Sequence, residues 1–383
     1  MTWMSSIVSA CLVATPLLTA QSEPFKVYDT RPVILHGPYL VAPTETSAVI
    51  AWSTDTPCHS KVVYGIGTLG EEAANSKDGL LPVGTVHSVR ISGLRPGQTY
   101  QYKVVSTRVV KMKAYWPDKG LAAESPVYSF TTLDAGKSSA AFSVITDTHE
   151  DVPRIIALMK LIDWTTTDFL VHTGDAFHGI ETEDQLYAKW LDPISKGLAQ
   201  SKGLMFARGN HDTRGAFARE LAAYVPIEEG RFYYARDHGP VHLLAIDTGE
   251  DKPDSTNVYS RLNDFAAYRR QELHWLREHT RESRRMSEAP FRVVVMHQPN
   301  WGWVDGANDE WSAWANEAKI DLVVAGHRHR FLRTKPGERG NNFPVVVVGQ
   351  DQVGRVEASG AQMKVSVTGK DGVVVDSFLI ERR

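Results

Sequence analysis

The chain has almost no cysteine: Cys11 and Cys58 are the only two in 383 residues. A disulfide-stapled fold is therefore excluded. It also lacks a dominant charge, since 42 Lys and Arg stand against 45 Asp and Glu. No block of like charge occurs, so the sequence shows neither the basic footprint of a nucleic-acid binder nor a polybasic membrane anchor. Long apolar runs are missing too. The longest, Ile7 to Ala20, is too short to span a bilayer and is interrupted by Pro16. There is no internal repeat and no low-complexity tract.

The N-terminal apolar run reads as a secretory signal peptide over residues 1–20. It ends in Leu18-Thr19-Ala20 and gives way to a polar segment at Gln21. The mature protein is then exported, periplasmic or extracellular, with no transmembrane segment. The missing Lys or Arg ahead of the run departs from the usual pattern, and the competing reading is a buried N-terminal helix. Val8-Ser9-Ala10-Cys11 has the shape of a lipoprotein cleavage site, but only Met1–Ala10 precede Cys11 and the apolar stretch continues past it. Lipid anchoring through Cys11 is the lesser alternative. Cleavage would leave Cys58 alone and unable to form an internal bridge; it reads as a small packed residue.

The length suffices for two domains, and 10 Trp and 13 Tyr provide for well-packed cores or an aromatic cleft. Residues 31–133 show short alternating strands and frequent turns. Strands are expected at Ser47–Ser53, Ser60–Tyr64, Val86–Ser92, Thr99–Ser106 and Ser125–Thr131. In Gly93-Leu94-Arg95-Pro96-Gly97-Gln98-Thr99-Tyr100, a turn leads into a Tyr that can bond back to the upstream backbone, the corner found in immunoglobulin-like sandwiches. Trp52 is a natural core centre. After a polar linker, Asp134–Ser139, continuous apolar runs alternate with helical patterns over 139–383. That reads as α/β with buried sheets.

Five of these runs end in residues able to bind a metal: Asp147-Thr148-His149, Gly174-Asp175, Gly209-Asn210-His211-Asp212, His297, and Gly326-His327-Arg328-His329. Ligands gather beyond the carboxyl ends of strands in α/β sheets. Asp147 and His149, like His327 and His329, are two apart and can point to one side. The preceding glycines allow tight turns where backbone passes close to an ion. Singly, each motif has an ordinary structural explanation: Asp147 or Asp175 as a cap or turn residue, His297 as a satisfied core histidine. Together they supply seven O and N ligands (Asp147, His149, Asp175, Asn210, His297, His327 and His329). That is enough for two transition-metal ions, with Mn, Fe, Zn and Ni not distinguished. Trp301 and Trp303 could wall a cleft or pack their loop. Arg208 and Arg214 could meet a phosphate, although surface salt bridges suffice. Asp247-Thr248-Gly249-Glu250 reads as turn chemistry, and His172, His238, His242, His274 and His279 carry no spacing argument.

Asp-x-His, Gly-Asp, Gly-Asn-His-Asp, Val-x-x-His and Gly-His-x-His resemble the signature of the calcineurin-like metallophosphoesterases. The Gly93–Tyr100 turn resembles a fibronectin type III domain, and a domain of that kind ahead of such a core resembles the purple acid phosphatase arrangement. The resemblance implies an N-terminal fibronectin type III-like sandwich followed by a four-layer αββα domain with a two-metal centre between its sheets. Carried over, one metal would take Asp147, His149, Asp175 and His329, and the other Asp175, Asn210, His297 and His327. Asp175 would bridge. His211 would protonate the leaving alkoxide, with Asp212 fixing its ring. Purple acid phosphatases have Gly at the position of His149 and a ligand Tyr at that of His178. No iron-tyrosinate colour is therefore expected here, and His178 would touch the metal site or act beside it.

The implied function is hydrolysis of phosphate monoesters by a metal-bound hydroxide without a phospho-enzyme. The rivals are a phosphodiesterase or nucleotidase using the same centre, and a non-catalytic binding protein. The natural substrate and oligomeric state, and the purpose of the N-terminal domain, are not legible.

Overall fold

The computed structural model describes residues 26–198, 200–228, 230–300 and 308–382. The candidate signal peptide with Cys11, and the tryptophans 301 and 303, lie outside the described residues. An N-terminal β domain is followed by a mixed α/β domain built on two sheets. The first sheet runs in the order Val374–Glu381, Gln362–Gly369, Gln352–Ser359, Ser139–Ile145, Phe169–His172 and Gly203–Phe206. The second holds Tyr234–His238, Val241–Ile246, Phe291–Met296, Leu322–Ala325, Val345–Val347 and Leu332–Thr334. Within each, the central strands are parallel.

Why these segments form buried strands follows from their two faces. In the second sheet Leu243, Ala245, Val293, Val295, Leu322 and Val324 join the core shared with the first sheet. Their neighbours Leu244, Ile246, Val294, Met296, Val323 and Ala325 instead pack against Leu273, Leu276, Trp311 and Trp314 of the helices Phe265–Glu282 and Asn308–Glu317. Both faces are buried, so the period-2 alternation is between two apolar layers and reads as an unbroken apolar run. On the outer side of the first sheet, Ile155, Leu158 and Met159 project from the helix Val152–Leu161. The order is helix, sheet, sheet, helix. The helix expected from about Thr182 begins with Thr182 as its cap, through a bond to Gln185 N, and contains a π-helical stretch at Tyr187–Leu191.

The N-terminal domain differs from expectation in its strands. Ser47–Gly65 is a single 19-residue strand where two were expected. Its first part pairs with Gly84–Ser92 and its last part with Thr99–Lys111, with a register shift between Ser53 and Cys58. One strand thus serves both layers, bending where the register slips. Thr99–Lys111 is longer than foreseen, and the segment after it forms two strands, Asp118–Glu124 and Tyr128–Thr131. Trp52 is fully buried, its indole N–H donating to Ser106 Oγ at 2.9 Å. Cys58 is buried, and burial pushes its thiol up, in keeping with a packed residue.

The domains are not joined by the linker alone. Ile34–Val41 pairs antiparallel with Ser47–Gly65 and parallel with Gly203–Phe206, which continues the first catalytic sheet into the β domain. Tyr39 Oη donates to Tyr224 O at 2.7 Å, and Tyr102 Oη to Gln200 O at 2.8 Å.

The expected corner is present: Arg95 N–H donates to Tyr100 Oη at 2.9 Å. Tyr100→Phe deletes this acceptor while keeping the ring among Tyr64 and Phe130. The variant is expected to lose about 1 kcal/mol of stability, read as a lower urea midpoint. An unchanged midpoint would show that water replaces the hydroxyl without cost.

Candidate metal centre

The five ligand-bearing segments converge at the carboxyl ends of strands from both sheets. Asp147, His149, Asp175 and His329 place one ligand atom each within 4.8 Å of the others, and Asp175, His297 and His327 do the same. Asp175 belongs to both groups. In the first, His149 Nε2 lies 3.9 Å from Asp147 Oδ1 and 4.0 Å from Asp175 Oδ2, while His329 Nε2 lies 3.3 Å from Asp147 Oδ1. In the second, His297 Nε2 lies 3.0 Å from Asp175 Oδ2 and 3.3 Å from His327 Nδ1. Asn210 is 1% exposed, and neither its Oδ1 nor its Nδ2 has a hydrogen-bond partner.

Backbone carbonyls orient two of the imidazoles. His149 Nδ1 meets Phe177 O at 3.0 Å, and His297 Nδ1 meets Thr173 O at 2.8 Å. A ring whose Nδ1–H donates to a carbonyl presents the Nε2 lone pair to the site. The carboxylates are held by N–H groups: His327 N donates to Asp147 Oδ2 and His211 N to Asp175 Oδ1, both at 2.9 Å. Charge follows geometry. Burial alone would raise the Asp175 carboxyl, but the His297 charge and hydrogen bond hold it far below the usual range. Burial and the neighbouring His297 push His327 down to about 4.

The backbone is strained where the ligands sit. Asp147, His149, Asp175, His327 and His329 all have positive φ, between 43° and 73°. Non-glycine residues in this region cluster at functional sites because the surrounding structure must hold them there. The glycines serve close approach as well as turning. A Cβ on Gly326 would lie 2.0 Å from Thr146 Oγ1 and 2.8 Å from Asp147 Oδ2. One on Gly174, at φ +88°, would lie 2.4 Å from Gly209 N.

Three expectations change. Asp212 does not hold the His211 ring. Its carboxylate, fully buried, accepts from the N–H groups of Asp175, Ala176 and Gly209 at 2.8–2.9 Å and ties two ligand loops together. The ring is instead set by the His178 carbonyl, 2.8 Å from His211 Nδ1. Nor are Arg208 and Arg214 in surface salt bridges. Arg208 Nη2 pairs at 2.6 Å with Asp247, which is 0% exposed, and Arg214 makes a two-point pair with Glu250, which is 1% exposed. Arg214 Nη1 also lies 3.2 Å from His211 Nε2. The segment Asp247–Glu250 thus buttresses the site rather than merely turning the chain. His178 is exposed and stacks on His149 with ring centroids 4.5 Å apart.

Sequence reasoning passed over His172. It is fully buried, bonds Thr148 Oγ1 through Nε2 at 3.1 Å and accepts Gly174 N–H at Nδ1, so it connects the Asp147 and Asp175 loops. Burial lowers its pKa to about 3, so the ring is neutral and can accept. The only available signal was its place at the end of an apolar run, two residues before Gly174-Asp175.

Residues 141–331 match the family described as calcineurin-like phosphoesterase, and residues 37–132 match the purple acid phosphatase N-terminal domain. Among solved structures, a purple acid phosphatase from yellow lupin seeds superposes with TM-score 0.65 at 16% identity, covering 92% of this chain and 74% of the lupin chain. Purple acid phosphatase 21 of Arabidopsis thaliana is 22% identical over 272 residues, 66% of this chain and 54% of that protein. An uncharacterized protein of Mycobacterium tuberculosis is 24% identical over 329 residues, and the matched region spans 76% of this chain and 60% of the relative.

Asp212→Asn puts an amide where three N–H groups converge. It is expected to cost about 2–3 kcal/mol, read from denaturant unfolding of the chelator-treated protein. No loss would show that the loops hold their shape without the carboxylate.

Proposed function

Because the chain belongs to the calcineurin-like phosphoesterases, we propose that it is an exported phosphatase that hydrolyses phosphate monoesters at a centre of two transition-metal ions. The observation that carries this reading is the buried, unpartnered amide of Asn210 beside a carboxylate, Asp175, shared by two ligand groups. A buried amide without a partner is costly, and a cation bound by its oxygen removes much of that cost. The set of carboxylate and amide oxygens with imidazole nitrogens fits Mn, Fe, Zn or Ni. One ion would be held by Asp147, His149, Asp175 and His329, the other by Asp175, Asn210, His297 and His327. When bound, such ions supply a water made more acidic and neutralise charge on the phosphoryl oxygens.

The remaining work falls to the chain. His211 is anchored at Nδ1 by the His178 carbonyl, so its protonated form carries a second N–H at Nε2 to pass to the leaving oxygen. Asp212 serves by holding the Asp175 and Asn210 loops rather than by touching His211. The hydroxyls at the core of the cluster are engaged, Thr146 with Asp147 and Thr148 with His172. Both residues are fully buried, which keeps their hydroxyls from a substrate and supports direct hydrolysis by water.

Paired assays of p-nitrophenyl phosphate and bis-p-nitrophenyl phosphate, after loading with Mn, Zn, Fe, Ni or Mg, test the reading. A preference for the monoester is expected, with two ions per chain by elemental analysis. Preference for the diester would make the protein a phosphodiesterase. Silence on both with no bound metal would leave a binding protein. Asp175→Asn is expected to lose both activity and ion stoichiometry. His211→Ala is expected to keep the ions and lower kcat by roughly 10²- to 10⁴-fold.

A further inference from the structure

The turn that bears His327 and His329 has a second side. Residues 327–339 hold Arg328, Arg330, Arg333, Lys335 and Arg339 against the single acid Glu338, in a chain with 42 Lys and Arg against 45 Asp and Glu. Three of these arginines, 328, 333 and 339, line a cavity of about 360 Å³. Its apolar lining comes from Trp311, Phe343, Val345 and Val347, at the second sheet's far edge and the helix packed on it.

The charges in this cavity are only partly neutralised from within. Arg333 pairs with Asp376 at 3.2 Å and lies over the Phe378 ring. Glu338 accepts the Lys335 backbone N–H at 2.7 Å and lines the same cavity, one acid beside three arginines. Among the described residues, Arg328 and Arg339 have no carboxylate partner. Guanidinium groups beside apolar surface that outnumber the acids around them suit an anion that accepts paired N–H bonds.

The cavity and the metal centre share one turn. Arg328 lies between His327 and His329, its Cα about 3.8 Å from each of theirs. We propose that the cavity is a subsite for a second anionic group on the leaving portion of the substrate. The substrate class is then phosphate monoesters whose alcohol carries, beyond a short carbon frame, a further phosphate or carboxylate. The inference rests on the phosphatase reading for what happens at the metals, but not for what the cavity binds.

The test separates the two. Calorimetric titration of the metal-loaded protein would compare α,ω-alkanediphosphonates of two to eight carbons with alkylphosphonates of equal length. At the length that spans turn and cavity, the diphosphonate is expected to bind 10- to 100-fold more tightly. Arg339→Gln and Arg328→Gln, each folded by circular dichroism, are expected to remove that gain while the monophosphonate still binds. The corresponding alkanediol bisphosphates should show the same ratio in kcat/KM over hydroxyalkyl monophosphates. Equal binding of both series at every length, or a gain that survives both substitutions, would overturn the proposal. A diphosphonate gain lost in both variants, in a protein that hydrolyses no monoester, would sustain the subsite and sink the phosphatase reading instead.

Discussion

Three carboxylates, Asp147, Asp175 and Asp212, are buried together at the ends of strands that the core has already fixed. Burying even one carboxylate without compensation is costly. The structure answers each in a different currency. Asp212 takes three backbone N–H groups, and Asp175 takes the His211 N–H and the His297 ring. Asp147 takes the Thr146 hydroxyl and the His327 N–H. What remains after these bonds, chiefly Asp147 Oδ1 and the whole Asn210 amide, is buried without a hydrogen-bond partner. Cations there would complete the balance, and the rest of the site follows from holding that charge in place.

Holding it demands backbone that few sequences accept. Five of the seven candidate ligand residues, Asp147, His149, Asp175, His327 and His329, occupy left-handed conformations, and the glycines at 174, 209 and 326 let strand ends approach to distances that a side chain would block. Such strain persists only where the surroundings over-determine it. Here the strands that lead into the site are buried on both faces, so the loops leave from fixed points. His172, Asp212 and the Arg208–Asp247 and Arg214–Glu250 pairs then brace one loop against the next.

The N-terminal β domain is part of the same construction. Ile34–Val41 carries hydrogen bonds to both domains, and its partner Gly203–Phe206 leads directly into Gly209-Asn210. The strand that delivers the Asn210–Asp212 turn is therefore internal to a larger sheet instead of being an exposed edge. A buttressing role for the β domain follows from that pairing.

Much of this was legible in the chain itself. The apolar runs, the Gly93–Tyr100 corner and the order of the Asp, Asn and His motifs are local patterns, and each reports which residue types follow a strand. The amino-acid sequence alone determined the two-part architecture and the ligand types. Tertiary structure decided what depends on distant segments meeting: that Asp212 binds backbone rather than His211, and that Glu250 holds Arg214. It decided, too, that His172 links two loops and that one long strand serves both layers of the β domain. Those outcomes are set by packing and by where buried N–H groups find acceptors, and neither has a period or a spacing to read along the chain.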